Sequence, residues 1–366
     1  MLTPDTPGRV VSPGGLSGPS GGSIYNERIA QQWGTTVERV AGRWPFPDEA
    51  DRRALLNVLL HGSAADPRPV LLDGLVGSCA PQEIRQARAA GVRVVMLVHL
   101  PLPAETGLSP TDRQLLFSQE NAALRLASAV TCTSPWAARD LRDRYGLREV
   151  TVAEPGTDRQ PLATGSRPAQ LMTPAAYTPR KNHRLLVAAL ASPRLAGLPW
   201  HALWVGTDPT GSARAALAHD LAAAGLQDRV TLGRARIGTD MDQAWAATDL
   251  LLLPSVTETY AMVVAEALAR GIPAVVGAGT AAAETLHGHL PPSPLGTAEV
   301  DTTNGTASPG AALATDDPVA WAGSIACWLT SSALREQWRR SARARAQRLS
   351  PWSVPAGILA RLMRTP

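Results

Sequence analysis

Short, unbroken apolar runs punctuate this chain. PVLLDGL (69–75), VRVVMLVHL (92–100) and AVTCTS (129–134) occur in the first half. WHALWVGTD (200–208), LLLLPS (250–255) and PAVVG (273–277) occur in the second. Each is too short for an ordinary helix and ends in turn residues, so each reads as a strand buried on both faces. Between them lie helical patterns: PQEIRQARAAG (81–91), PWAARDLRDRYG (135–146) and SARAALAHDLAAAG (212–225). Strand–helix alternation of this kind predicts an α/β fold with parallel sheets. In such sheets ligands gather beyond the carboxyl ends of the strands.

A chain of 366 residues is long for one hydrophobic core and comfortable for two domains. The composition shifts at RQPLATGSRPAQ (159–170), which reads as the linker. The expected organisation is an N-terminal Rossmann-like domain over 1–165, a second over 166–349, and a C-terminal helix over 350–366. Two such domains would face each other across a cleft. Aromatic residues make up only 4% of the chain, so the cores are expected to be built from Leu, Val and Ala. Residues 287–310, rich in Pro, Gly, Ser and Thr, read as a loop.

The net charge of +4 and pI near 9.3 suit phosphate-bearing molecules or an anionic surface without identifying a nucleic-acid binder. Almost all of the basic charge is arginine, and Lys181 is the one lysine. Cys79, Cys132 and Cys327 are isolated, which suits a reducing compartment. No signal peptide is evident, and no apolar run reaches the ~18 residues of a membrane span. The expected location is cytoplasmic. The arginine-rich helix LREQWRRSARARAQRL (334–349) reads as a solvated face, with peripheral contact at the inner face of the membrane as the alternative for a lipid acceptor. The histidines show no zinc spacing, His287 and His289 included, and no metal site is expected.

The segment PSVTETYAMVVAEALARGIPAVV (254–276) carries Glu258 and Glu266 amid apolar residues. In one reading SVTE is a capping box with Ser255 as cap, and Glu266 lies on a solvated face. On a single helix the two would stand about 80° apart, at ~100° per residue, which demands no shared ligand. Gly21 and Gly22 precede a helix over 23–33 with Ser23 as its cap, and alone they read as a tight turn. Arg180 and Lys181 open the first helix of the second domain. His99 ends a strand, where it can satisfy a backbone carbonyl. Asp73 and Asp208 at strand ends read as turn caps, and Glu284 follows the last strand.

Together, SGGSIYNERI (20–29), LVHLPLPAE (97–105), ASAVTCTS (127–134), PGTD (155–158), TPRKNHRLL (178–186), LWVGTD (203–208), VTLG (230–233) and the two-glutamate segment resemble the retaining GT-B glycosyltransferases. This is the large family 4-like group that includes glycogen synthases and bacterial mannosyl- and glucosyltransferases. The resemblance implies a metal-independent enzyme moving a hexose from a UDP- or GDP-sugar to an acceptor hydroxyl on a small molecule, glycan or lipid. It assigns His99 and Glu258 to the sugar at the reaction centre and Glu266 to the ribose. Gly22, Arg180, Lys181, Tyr260, Ala261 and Met262 are assigned to the diphosphate, and Tyr25 and Asn26 stand as acceptor-side candidates. It also implies that the last helix returns to the N-terminal domain. The family has glycines where this chain has Thr259 and Ala261, and an arginine where it has Ala176. Two rivals share the fold: a non-catalytic nucleotide-sugar-binding or scaffolding protein, and an enzyme that hydrolyses or phosphorylises glycosides.

Overall fold

The computed structural model describes residues 7–15, 18, 20–61, 68–288 and 308–364. They form two compact units, dividing at Gly156/Thr157 and again at Leu349/Ser350. The expected boundary at 165 lies nine residues too late. The segment proposed as a linker is fastened to the second unit instead: Ala163 N donates to Arg270 O, Thr164 N to Ala246 O, and Ser166 N to Asp249 Oδ2 at 2.9 Å.

The first unit contains β1 (Arg9–Pro13), α1 (Gly21–Gln32), β2 (Val37–Val40), α2 (Glu49–Leu59), β3 (Val70–Asp73), α3 (Gly74–Gly77), α4 (Pro81–Ala89), β4 (Val94–Val98), α5 (Pro110–Leu126), β5 (Ala129–Cys132), α6 (Pro135–Tyr145) and β6 (Thr151–Val152). Its sheet is parallel throughout, in the order β2-β1-β3-β4-β5-β6. Val70, Leu72, Val94, Met96 and Val130 from the strands pack on Leu55, Ile84, Leu124 and Leu141 from the helices. The α1 cap is Ser20, not Ser23. Ser23 is the N3 partner whose hydroxyl returns to the Ser20 backbone, completing a capping box. The helix therefore starts at Gly21, and the glycine pair lies inside its first turn rather than before it.

The second unit contains β7 (Ala169–Pro174), α7 (His183–Leu190), α8 (Pro193–Ala196), β8 (Trp200–Gly206), α9 (Ala213–Ala223), β9 (Val230–Arg234), α10 (Gly238–Ala246), β10 (Thr248–Leu253), α11 (Met262–Ala269), β11 (Ala274–Gly277), α12 (Ala281–His287), β12 (Gly310–Leu313), α13 (Pro318–Thr330) and α14 (Ser332–Ala346). The order β12-β11-β10-β7-β8-β9, all parallel, is the Rossmann order 6-5-4-1-2-3. Strand alternation sends Leu250 and Leu252 to the layer holding Trp204, Trp321 and Trp328. Leu251 and Leu253 go to the opposite layer, with Val264, Leu268 and Ala342. The cores are richer in aromatics than composition implied, because eight of the ten tryptophans are buried.

From Ser350 the chain belongs to the first unit again. There α15 (Ser353–Arg364) packs on α1: Trp33 Nε1 donates to Ala356 O at 3.1 Å, and the Tyr25 and Trp352 rings meet edge to face. Gly156 lies against this returning segment, and a Cβ there would stand 2.4 Å from the Trp352 backbone. Among the described residues no helix is long and apolar enough to cross a membrane.

Candidate functional site

In the first unit strand order reverses between β1 and β3, and chemistry-bearing side chains collect at the carboxyl ends there. His99, just past β4, is mostly buried, and its Nε2 lies 3.1 Å from Asn26 Oδ1 and 3.7 Å from Asp73 Oδ2. Asn26 Nδ2 donates to Asp73 Oδ2 at 2.5 Å and to Ser12 Oγ at 3.0 Å. Burial pushes the His99 pKa below its ordinary 6.5, and the Asp73 carboxylate opposes this only in part, so the imidazole is neutral at pH 7. Gly22 touches the ring: a Cβ there would sit 2.9 Å from His99 Cδ2, closer than carbon atoms allow. Tyr25 and Asn26, named as acceptor-side candidates, are both fully buried. The Tyr25 hydroxyl is spent on Ala153 O at 2.9 Å. Asp73 does cap a turn, accepting from Leu75 N at 2.8 Å, yet its second oxygen joins the histidine cluster.

Sequence reasoning missed Glu120. This fully buried carboxylate accepts from Leu102 N at 3.0 Å, from Ser78 Oγ at 2.7 Å and from the Tyr145 hydroxyl. It thereby anchors the turn that follows His99. Burial without an ion pair raises its pKa to about 7. The preceding sequence signal is only an ordinary helical glutamate in SQEN (118–121), with nothing to mark it as buried.

In the second unit the reversal lies between β7 and β10, and the segments leaving those strands hold each other. After β7 a short 3₁₀ turn (Pro179–Lys181) and a left-handed Asn182 precede α7, so Arg180 and Lys181 lie just ahead of the helix they were expected to open. After β10 residues 254–261 are not helical. The expected SVTE capping box does not form, and Glu258 and Glu266 do not share a helix, because α11 begins only at Met262. The Lys181 ammonium is ion-paired with Glu258, and the side chains are 16% and 9% exposed, so solvent does little to weaken the pair. Arg180 donates from its guanidinium to Thr257 O at 3.3 Å, and its carbonyl accepts from Val256 N at 3.0 Å. Burial alone would raise the Glu258 pKa. The Lys181 and Arg180 charges more than offset it and hold the carboxyl below its ordinary 4.5.

Ala261 initiates α11 in the left-handed region, at φ 67° and ψ 70°, the conformation for which glycine is suited. No side chain caps this terminus, and α11 has no acidic residue in its first turn. The N–H groups of the helix start are thus left without a side-chain acceptor from the cap. The Ala261 methyl packs in the apolar layer with Val264 and Leu253. Tyr260 is buried, its carbonyl taken by the Thr285 hydroxyl, while Met262 is partly buried at the first helical position. Glu266 stands one turn further on, partly buried and four residues before Arg270. The Arg270 guanidinium bonds Glu266 O and Gln160 Oε1 and lies over the Trp245 ring. Arg270 and Gln160 had no recognisable signal in the sequence.

Other expectations resolve individually. Asp208 caps α9, accepting from Ala213 N and Arg214 N. Glu284 lies in α12, whose first N–H, from Ala281, reaches Glu258 O at 3.0 Å. The α14 arginines are not simply solvated: Arg339 pairs with Asp249 at 2.5 Å, and Arg335 bonds the carbonyls of Trp328 and Leu329. His287 is held by Ser308 Oγ at 3.2 Å, and His289 lies outside the described residues. Among the described residues no group of three or more His, Cys, Asp or Glu side chains is placed to hold a metal ion.

Residues 168–330 match the family described as "Glycosyl transferases group 1", and residues 76–160 match "Glycosyltransferase Family 4". A D-inositol 3-phosphate glycosyltransferase of Salinispora tropica is 29% identical over 270 residues, 67% of this chain and 52% of that protein. A second, from Stackebrandtia nassauensis, is 30% identical over 49% of this chain and 44% of its own length. The match thus spans about half the length of these curated relatives. Among solved structures, a sucrose-phosphate synthase from Thermosynechococcus elongatus superposes with a TM-score of 0.75 at 19% identity, covering 97% of this chain and 98% of that one. Anabaena HepE in complex with UDP and glucose superposes with a TM-score of 0.72 at 17% identity, covering 98% and 100%. The chain thus carries, in order, regions matching two glycosyltransferase family domains, on the fold of the GT-B glycosyltransferases.

Proposed function

We propose that the protein transfers a hexose from a nucleoside-diphosphate sugar to an acceptor hydroxyl with retention of the anomeric configuration. The observation that carries this reading is the Lys181–Glu258 pair at the Rossmann switch point of the second unit, beside a helix start with no side-chain cap. An anionic diphosphate and a polyhydroxyl sugar are the ligand such a pair suits: Lys181 and Arg180 offer positive charge, and Glu258 accepts hydrogen bonds from hydroxyls. Anabaena HepE, solved with UDP-glucose, supports the same donor class for this chain.

In this reading the N–H groups of Ala261 and Met262 hold the diphosphate and Tyr260 shapes the approach. Glu266 accepts from the ribose hydroxyls. Gly22 lets backbone come close to the reacting groups, and neutral His99 bonds a sugar hydroxyl. The bond from the anomeric carbon to the phosphate oxygen breaks with its electron pair leaving on the diphosphate. The acceptor oxygen bonds to that carbon from the same face, and its proton passes to a phosphate oxygen. Lys181 and Arg180 stabilise the departing charge, which is the work a metal would otherwise do. The three free cysteines fit a reducing, cytoplasmic setting.

The test is calorimetry and mass spectrometry with UDP-glucose, UDP-galactose, UDP-N-acetylglucosamine, GDP-mannose and ADP-glucose, followed by transfer assays on soluble and lipid extracts. Binding and turnover of at least one donor are expected, with Glu258→Gln reducing turnover far more than affinity. Binding without any turnover would favour the scaffolding alternative, and turnover that requires free phosphate would favour a phosphorylase.

A further inference from the structure

We propose that Asn26 is a positioning residue which, held by Asp73 and Ser12, fixes His99 as the neutral Nε2–H tautomer. The argument runs through donors and acceptors. Asp73 Oδ2 can only accept, so the group 2.5 Å away on Asn26 is its amide nitrogen, which also serves Ser12 Oγ at 3.0 Å. That orientation turns Asn26 Oδ1 toward His99 Nε2 at 3.1 Å. An amide oxygen can only accept, so Nε2 carries the proton.

The cluster is built to hold this arrangement. Asn26 and Ser12 are 1% exposed and Asp73 6%, and they come from α1, β1 and the end of β3. Asp73 is itself pinned by Leu75 N at 2.8 Å. Among the groups facing His99 are Asn26, Asp73, the edge-on Tyr25 ring at 5.4 Å, and Gly22. Asn26 Oδ1, at 3.1 Å, is nearer to Nε2 than Asp73 Oδ2 at 3.7 Å, and both are acceptors that favour a proton on Nε2. An aspartate here would press a second carboxylate against Asp73 and draw a proton onto the ring. The link to sugar contact rests on the transfer reading above, but the tautomer assignment does not.

The test is long-range 1H–15N spectroscopy of the full chain labelled with 15N-histidine, with the His99 signals identified by their loss in His99→Gln. The wild type is expected to show the Nε2–H pattern and to titrate below the ordinary histidine value. Asn26→Asp, which preserves shape, is expected to raise the His99 midpoint by about one pH unit or more. Asn26→Leu is expected to mix the two tautomers. An Nδ1–H pattern in the wild type, or an unchanged titration in folded Asn26→Asp, would overturn the proposal. With a donor that turns over, Asn26→Asp should lower kcat at pH 7 about ten-fold, partly recovering at higher pH, with donor KM unchanged. Expected spectral changes with no turnover of any nucleotide-sugar by the wild type would support the tautomer assignment and count against the transfer reading alone.

Discussion

Lys181 and Glu258, 77 residues apart, form a buried ion pair between the segments leaving β7 and β10. Because Lys181 is the chain's one lysine, this position has kept an ammonium in a protein that otherwise uses arginine. A point charge on a flexible stem can pair with Glu258 in one state and with an incoming phosphate in another.

Lys181→Met is expected to cost about 2–4 kcal/mol in urea unfolding, since it removes the ion-pair partner of a buried carboxylate and leaves it only the Arg180 charge. Adding Glu258→Gln should restore most of that loss. The pH dependence should also invert. In the wild type the Glu258 pKa is held below 4.5, so its contribution is full above that pH and is lost as pH falls through the folded value. Without Lys181 the burial effect gains weight, and acidification from pH 7 toward 5 should stabilise the variant relative to the wild type. Calorimetry with UDP, or with GDP if that is the nucleotide bound, should show weaker binding.

Glu120 gives a slope of the opposite sign. Its carboxyl is raised from 4.5 to about 7 in the folded protein, so between those values the native state holds more of this proton than the unfolded chain. The Glu120 contribution to stability therefore falls as pH rises through that window. Urea midpoints measured from pH 5 to 8 should show a flatter dependence for Glu120→Gln than for the wild type.

Ala261→Gly should stabilise the second unit. A non-glycine residue in the left-handed region costs about 1–2 kcal/mol, and glycine returns part of that as unfolded-chain entropy. A net gain of about 0.5–1 kcal/mol is expected in urea unfolding, with the donor affinity kept.

Gly22→Ala should separate stability from activity. Alanine is the better helix former by about 1 kcal/mol, but its methyl would displace the His99 ring. Turnover is expected to drop at least ten-fold with unchanged circular dichroism. In a His99→Ala background the same substitution should raise the melting temperature.

The parallel sheets were legible because their central strands are buried on both faces, so LLLLPS and VRVVMLVHL announce themselves without context. Strand ends then located His99 and Glu258. The start of α11 was not legible, because Ala261 adopts a glycine-like conformation that its identity conceals, and SVTE mimics a cap it does not form. The Asn26 cluster was also hidden. Its bonds join residues 47 and 73 positions apart, and only the assembled sheet brings them together. The aromatic fraction misled for a different reason: few residues, most of them tryptophan, fill a large share of the interior.

The return of the chain after Leu349 has a consequence for biosynthesis. Trp352 and α15 complete the surface of α1, yet they are translated only after the whole of 157–349. At roughly 5–20 residues per second, the nascent first unit waits on the order of ten to forty seconds for this helix. During that interval Trp33 and Tyr25 lack their closing partners on the ribosome, whereas the second unit emerges contiguous and can fold as soon as it clears the exit tunnel.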